Sequence, residues 1–117
     1  MDERRKYPRL NWSVEVHWKL AEPSRPATQD RSVTKDISAG GIRLILREGL
    51  NVGDILELDI RLGGGKDVRA KGRIAWMEKF NIVGGKDSAG YEGGIEFIDM
   101  PEATRRLINT FILEVRT

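Results

Sequence analysis

The feature that most constrains the fold is an alternation of apolar and polar side chains that recurs in five short segments. It first occurs where Val14, Val16, Trp18 and Leu20 alternate with polar residues. Such alternation is typical of a strand with one buried face. The other four alternating segments lie at 41–47, 54–62, 68–77 and 91–98, and a sixth strand is predicted at 31–36. Six short strands separated by turn-forming residues predict a small antiparallel barrel.

Near the C-terminus the spacing of the apolar residues changes from that of a strand to that of a helix. The sequence Asp99-Met100-Pro101-Glu102 has the composition of a helix start. An apolar stripe at helical spacing follows, formed by Ala103, Leu107, Ile108, Phe111, Ile112 and Val115. We therefore predict a mainly β protein: a six-stranded antiparallel split β-barrel with a C-terminal amphipathic α-helix at about 101–115, which covers an end or an edge of the barrel. The longest loop is predicted at 78–90.

Composition narrows the class of protein. The 117 residues are 39% apolar and 32% charged, which is typical of one folded globular domain. No apolar run reaches the ~20 residues that span a bilayer, and the charged N-terminus lacks the apolar region of a signal peptide. The absence of cysteine excludes disulfides and suits a cytoplasmic protein. We therefore expect cytoplasmic localisation and no membrane partner.

Positive charge is concentrated at the N-terminus. The formal net charge is only +2, yet Arg4, Arg5, Lys6 and Arg9 fall within six residues. A proline in this segment disfavours helix. We therefore divide the chain into a flexible basic arm at 1–12 and a barrel with its helix at 13–117. A compact basic cluster on an otherwise balanced chain favours a small anion over a long polyanion.

A polar group lies at a turn between two predicted strands, in Asp36-Ile37-Ser38-Ala39-Gly40-Gly41. Asp36 and Ser38 point to the same side of an extended backbone. The two glycines allow a sharp turn or the close approach of another group. By itself this stretch is more often an ordinary turn than part of a ligand site.

The sequence offers little for catalysis. His17 is the only histidine, so the chain offers no two-histidine metal site. It alternates with Val16 and Trp18, which places it on the solvent side of a predicted strand. The stretch Gly63-Gly64-Gly65-Lys66 lacks the earlier glycine and the following hydroxyl residue of a phosphate loop. The scattered carboxylates nominate no acid–base pair. We predict a protein that is not an enzyme, with no catalytic residues, no metal and no cofactor.

The pair of motifs Arg5-x-x-x-Arg9 and Asp36-x-Ser38-x-x-Gly41 resembles the signature of the PilZ domain, the bacterial receptor module for cyclic di-GMP. Both motifs are present without substitution and in the family's order, and the segment 91–97 is similar to the family's last strand. The resemblance covers almost the whole chain. It implies a stand-alone cyclic di-GMP receptor that acts in motility, exopolysaccharide or biofilm control. The ligand-binding residues that it implies are Arg5, Arg9, Asp36, Ser38 and Gly41.

The chemistry of guanine suits these residue types. Its O6 and N7 acceptors can be held by a guanidinium through two parallel hydrogen bonds, and its N–H edge suits the carboxylate of Asp36. Ser38 could bind the base, the ribose or a phosphate, and Gly41 lets the ligand approach the backbone. The resemblance implies that the arm folds over the ligand, with Arg5 and Arg9 as a clamp, and so presents a new surface to an unidentified downstream protein.

Two further residues are tentative ligand contacts. The resemblance implies that Arg4, which precedes the first motif arginine, favours a stacked pair of cyclic di-GMP molecules; the alternative is a solvated charge. Trp76 could stack on a guanine, as aromatic platforms do for bases. Its alternative is core packing, because it falls in phase with Val68 and Ile74.

Two other functions remain as alternatives. The first is a protein–protein adaptor of the same fold that acts without nucleotide, which would have no need of both intact motifs. The second is a small barrel that binds RNA or single strands. The aromatic content of 7% and the mixed charge of the strands disfavour nucleic acid as a partner.

Overall fold

The computed structural model describes residues 9–10, 13–21, 29–46, 50–63, 65–81 and 89–116. These ranges contain seven strands and one helix. The strands are β1 (Arg9–Leu10), β2 (Glu15–Leu20), β3 (Gln29–Ser38), β4 (Gly41–Leu46), β5 (Ile55–Arg61), β6 (Asp67–Asn81) and β7 (Ala89–Ile98), and the helix is α1 (Glu102–Arg116).

All strand pairs are antiparallel, and the order is β1-β3-β2-β5-β6-β7-β4 with a further pairing of β3 with β4. The long strand β3 pairs with β1 at its C-terminal end and is shared along most of its length between β2 and β4. Its first half, 29–33, pairs with β2, and its second half pairs with β4 from Thr34 to Ile37. This division of one strand between two neighbours is the split in the barrel. The predicted mainly β split barrel with one C-terminal helix is confirmed.

The connection between β6 and β7 is shorter than predicted. The sequence predicted a loop at 78–90, but β6 continues to Asn81 and β7 begins opposite it at Ala89. The glycines that suggested a loop include Gly90, where a side chain would lie 2.6 Å from the ring of Phe80. A glycine in a strand can mark close packing as well as a bend. Residues 82–88 lie outside the described part of the chain.

The core lies between the inward faces of the strands and one face of α1. Its fully buried large side chains are Val16, Ile37, Leu44, Leu56, Ile60, Ile74, Ile108 and Ile112. Alternation of buried and exposed positions is regular along β2, β4 and β5, because each strand buries one face.

The helix α1 packs against β3 and β1. Ile108, Phe111 and Ile112 are buried, whereas Ala103 and Leu107 of the predicted stripe are exposed. The apolar face of the helix is therefore narrower than the sequence pattern indicated. In the described part of the chain, no helix has the length and apolar character needed to cross a membrane.

A candidate ligand site on the barrel surface

The turn between β3 and β4 is held by its own serine. The Ser38 Oγ accepts hydrogen bonds from the backbone N–H of Gly40 at 3.1 Å and of Gly41 at 3.3 Å. The carbonyl of Gly40 accepts a hydrogen bond from the N–H of Phe97 at 3.0 Å, which ties the turn to β7. The turn is therefore fixed in position relative to the sheet, and Ser38 has a structural role in it.

Gly41 is required by the packing of the sheet. A side chain at this position would collide with the backbone carbonyl of Ile95 on β7. The close approach that the sequence suggested is therefore made by a neighbouring strand. This accounts for glycine at 41 without a ligand, and the role of Gly41 in ligand binding stays a prediction.

Four residues lie directly opposite one another across four strands. Asp36 on β3 is opposite Arg43 on β4, Arg43 is opposite Gly94 on β7, and Gly94 is opposite Trp76 on β6. Residues paired in this way are lateral neighbours on a sheet. We call these four residues the Asp36–Trp76 row.

Asp36 is buried and ion-paired. The residue is only 5% exposed, and its Oδ2 lies 3.0 Å from the Arg43 Nη2. The Arg43 Nε lies 3.1 Å from the Glu92 Oε1, an ion pair that is not aligned for a hydrogen bond. Arg43 thus bridges carboxylates on the two strands that flank β4. A buried carboxylate needs such a partner, because burial removes its hydration.

Neither motif of the sequence includes Arg43, so it was not a predicted site residue. The only signal was its position between the inward-facing Ile42 and Leu44, which places its side chain on the outer face of the barrel. The pairing with Glu92 depends on β4 lying beside β7. The order of the strands cannot be predicted from local sequence patterns.

Trp76 lies outside the core, so the predicted inward phase with Ile74 is wrong. The pairing of β6 with β7 shifts register between Ile74 and Trp76, and both Ala75 and Trp76 are exposed. Such a bulge inserts one extra residue and reverses the faces that follow. Trp76 is 41% exposed, and its indole covers the backbone of Gly94, where a side chain would collide with the ring.

A cavity of about 330 Å³ lies over this part of the sheet. The predicted site residues Asp36, Ser38, Gly41 and Trp76 all line it, together with Arg43 and Glu96. Its charged lining residues are two carboxylates and one guanidinium, a formal charge of −1. We call it the site cavity.

A larger cavity of about 950 Å³ lies beside β2, β5 and β6 and contains none of the motif residues. Some of its charged residues are paired with each other, such as Lys19 with Glu57 at 3.4 Å. His17 also lines it, with its Nε2 2.8 Å from the Glu15 Oε2. The size of this cavity alone does not outweigh the motif residues gathered in the site cavity.

The arm meets β3 at the turn. In β1 the backbone of Arg9 lies opposite Ser38, and that of Leu10 lies opposite Ile37. The second motif arginine is therefore adjacent in the sheet to the polar turn of the other motif. Arg4 and Arg5 lie outside the described residues, so their predicted roles are not addressed by the structure.

The PilZ domain family model matches residues 3–114, almost the whole chain. The chain belongs to the PilZ domain family. No curated protein has a significant sequence match to this PilZ chain.

Solved structures share the fold of this PilZ chain. Bacillus subtilis inhibitor of motility MotI/DgrA aligns with a TM-score of 0.75 at 22% identity, over 98% of this chain and 52% of that one. The PilZ domain of Escherichia coli YcgR with c-di-GMP aligns with a TM-score of 0.75 at 17% identity, over 97% and 92%. The K. pneumoniae MrkH–c-di-GMP complex aligns with a TM-score of 0.74 at 16% identity, over 98% and 53%.

At these identities the structural similarity shows the fold alone. The PilZ chain spans about half the length of the MotI and MrkH chains and nearly all of the YcgR domain.

Proposed function

We propose that this PilZ domain is a receptor for cyclic di-GMP, without catalytic activity, that signals to a downstream protein through its N-terminal arm. The observation that carries the proposal is the meeting of the two motifs at one place. The backbone of Arg9 lies opposite Ser38, and Ser38 lines the site cavity with Asp36 and Gly41. The family membership supports it, as do the c-di-GMP complexes of YcgR and MrkH.

The charge of the site cavity indicates how ligand binding is divided between the barrel and the N-terminal arm. Cyclic di-GMP carries two phosphates, whereas the charged lining residues of the cavity sum to −1. The cations that neutralise the phosphates must then come from elsewhere, and the arm supplies Arg4, Arg5, Lys6 and Arg9. Arginine suits this task because its planar donors match phosphate and guanine edges. The barrel recognises a base and the arm binds the rest of the ligand.

Asp36 and Trp76 are the base-recognition residues in this account. The ion-paired Asp36 carboxylate is held on the wall of the cavity, where it can accept hydrogen bonds from the N–H edge of guanine. Adenine has a different donor pattern and is disfavoured. The exposed indole of Trp76, at the other end of the row, provides a surface on which a base can stack.

The arm is the element that changes on binding. Ordering about six residues of chain costs several kcal/mol, so charge-assisted contacts must offset it. Once ordered over the ligand, the arm forms a surface for a partner protein. Arg4 favours a stacked pair of ligands, which would give a stoichiometry of two. The name of MotI, an inhibitor of motility, supports motility control as the regulated process. Exopolysaccharide or biofilm control as other processes, and the cytoplasm as the location, are further parts of the proposal.

Isothermal titration calorimetry tests the proposal, with cyclic di-GMP as ligand and GTP and cyclic di-AMP as controls. We expect saturable heat with cyclic di-GMP alone. The absence of heat with cyclic di-GMP at micromolar protein would contradict the proposal.

A nucleotide-independent adaptor is the second candidate, because Ser38 and Gly41 each have a structural role in the turn. The arm distinguishes the two functions. A variant with both Arg5→Ala and Arg9→Ala should lose activity in cells if the protein is a receptor, and should keep it if the protein is an adaptor.

A further inference from the structure

We propose that Arg43 is a positioning residue for base recognition, which acts through Asp36 and is itself oriented by Glu92. The inference rests on the proposed function, since it assigns Asp36 to the base. It adds two residues, Arg43 and Glu92, that belong to neither motif.

The geometry places Arg43 between two fixed carboxylates. Its Nη2 lies 3.0 Å from the Asp36 Oδ2 and its Nε lies 3.1 Å from the Glu92 Oε1. The side chain of Asp36 is 7% exposed, that of Glu92 is 18% exposed, and that of Arg43 is 37% exposed. The two carboxylates contact different nitrogen atoms of the planar guanidinium and so hold it between them.

This bridge orients the acceptor. A carboxylate that must meet the N–H donors of a base gains from being held in one orientation before the ligand arrives, because less ordering remains to be done on binding. Removing the guanidinium would leave Asp36 and Glu92 as two carboxylates without their shared cation. Asp36 would then lose its ion pair with Arg43 at Oδ2.

Three observations make this more than an ordinary surface ion pair. Arg43 lines the site cavity, it lies in the Asp36–Trp76 row, and its partner Asp36 is buried. Exposed pairs on a protein surface contribute little. A partly buried arginine between two carboxylates has a defined geometry that substitution would disturb.

The chain offers a matched control. Arg61 also bridges two carboxylates, with its Nη2 2.9 Å from the Asp59 Oδ2 and its Nη1 3.7 Å from the Asp67 Oδ2. It is similarly exposed at 44% and does not line the site cavity. Arg61→Gln therefore removes the same kind of bridge without touching the proposed site.

The experiment measures dissociation constants of the full chain for cyclic di-GMP and for cyclic di-IMP, which lacks the guanine 2-amino group. We expect Arg43→Gln to weaken cyclic di-GMP binding about tenfold, the scale of a lost charge-assisted contact. The loss should shrink to less than about twofold in an Asp36→Asn background, because the two residues act as a unit. Arg61→Gln should bind as the parent does.

The preference for cyclic di-GMP over cyclic di-IMP is the readout that a merely structural role would not move. We expect Arg43→Gln to lower this ratio at least about threefold, because Asp36 no longer meets the amino group in a fixed orientation. Arg43→Lys should lose part of the preference, since a point-like ammonium cannot replace the planar bridge. Thermal unfolding of each variant verifies that it is folded.

The outcomes separate the inference from the function beneath it. If the parent binds cyclic di-GMP and Arg43→Gln keeps both its affinity and its preference, the inference is wrong and the receptor function stands. An equal loss in the Asp36→Asn background, or a lower affinity with an unchanged preference, also overturns it. If Asp36→Asn binds too weakly to measure, the preference ratio decides. If the parent chain binds no cyclic di-GMP, the proposed function itself fails.

Discussion

Trp76 lies directly opposite Gly94, and its indole occupies the space that a side chain at 94 would fill. The register shift between Ile74 and Trp76 brings the Trp76 ring to the outer face of the barrel. With regular alternation the ring would have pointed inward. The missing side chain at Gly94, which lies opposite Arg43, leaves the space that the ring occupies. An exposed aromatic surface in the site cavity thus depends on a bulge in one strand and a glycine in the next.

Gly94→Ala should weaken cyclic di-GMP binding by roughly three- to tenfold, because the new methyl group displaces the Trp76 ring that a base would stack on. Stability should change little, since the ring is partly exposed and can move. Titration calorimetry measures the loss. Gly90→Ala is the matched control. Its added methyl group would meet the ring of Phe80 on the same pair of strands, but both residues lie outside the site cavity. Equal affinities of the two variants for cyclic di-GMP would contradict the role of the Trp76 ring as a stacking surface for a base.

Trp76→Ala should reduce the binding free energy of cyclic di-GMP by about 1–3 kcal/mol, the range for one stacked base. The free energy of unfolding should fall by less than the ~3–5 kcal/mol typical of a large aromatic residue removed from a core. Calorimetry and urea denaturation give the two values. A large loss of stability with unchanged binding would instead assign Trp76 to packing.

Gly41→Ala should destabilise the protein by about 1–3 kcal/mol without any ligand, because the added methyl group collides with the backbone of β7, which cannot move aside cheaply. Urea denaturation of the ligand-free protein checks this. Ser38→Ala, which removes the hydroxyl acceptor of the same turn, should cost about 1 kcal/mol. An unfolding free energy of Gly41→Ala equal to that of the parent would show that the close packing is not as described.

Arg5→Ala and Asp36→Ala should each reduce the binding free energy of cyclic di-GMP by ~2 kcal/mol or more, since each removes a charged hydrogen-bonding group. The control for Arg5→Ala is a second charge substitution in the arm. Lys6→Ala removes a neighbouring positive charge outside the motif, and should cost less than Arg5→Ala if the arginine is a specific contact. Equal losses of binding free energy for the two arm variants would show that the arm attracts the ligand only by its overall positive charge.

The sequence patterns predicted most of the fold because each strand and the helix bury a single face. Alternation identified five of the six long strands, and the 3.6-residue period identified α1 to within about one residue of its observed ends. The motif residues Asp36, Ser38 and Gly41 line one cavity, and their role in ligand binding stays a prediction.

What the sequence could not predict depends on contacts between distant strands. The bulge that turns Trp76 outward leaves no mark in the local alternation, and the role of Arg43 requires β4 to lie beside β7. The short strand β1 is too brief for any periodicity, so its pairing of Arg9 with Ser38 could not be foreseen. The glycine at 90 suggested a loop although it accommodates the ring of Phe80.

Heteronuclear NMR of the isotope-labelled chain, titrated with cyclic di-GMP, tests most directly whether both motifs form one ligand site. The account predicts saturable shifts at the backbone amides of Arg9, Ser38 and Gly41 and at the indole N–H of Trp76, with common saturation behaviour. The indole of Trp18, which is buried in the core, should shift little. Shifts confined to the larger cavity beside β2 and β5, or no shifts at all, would contradict the account.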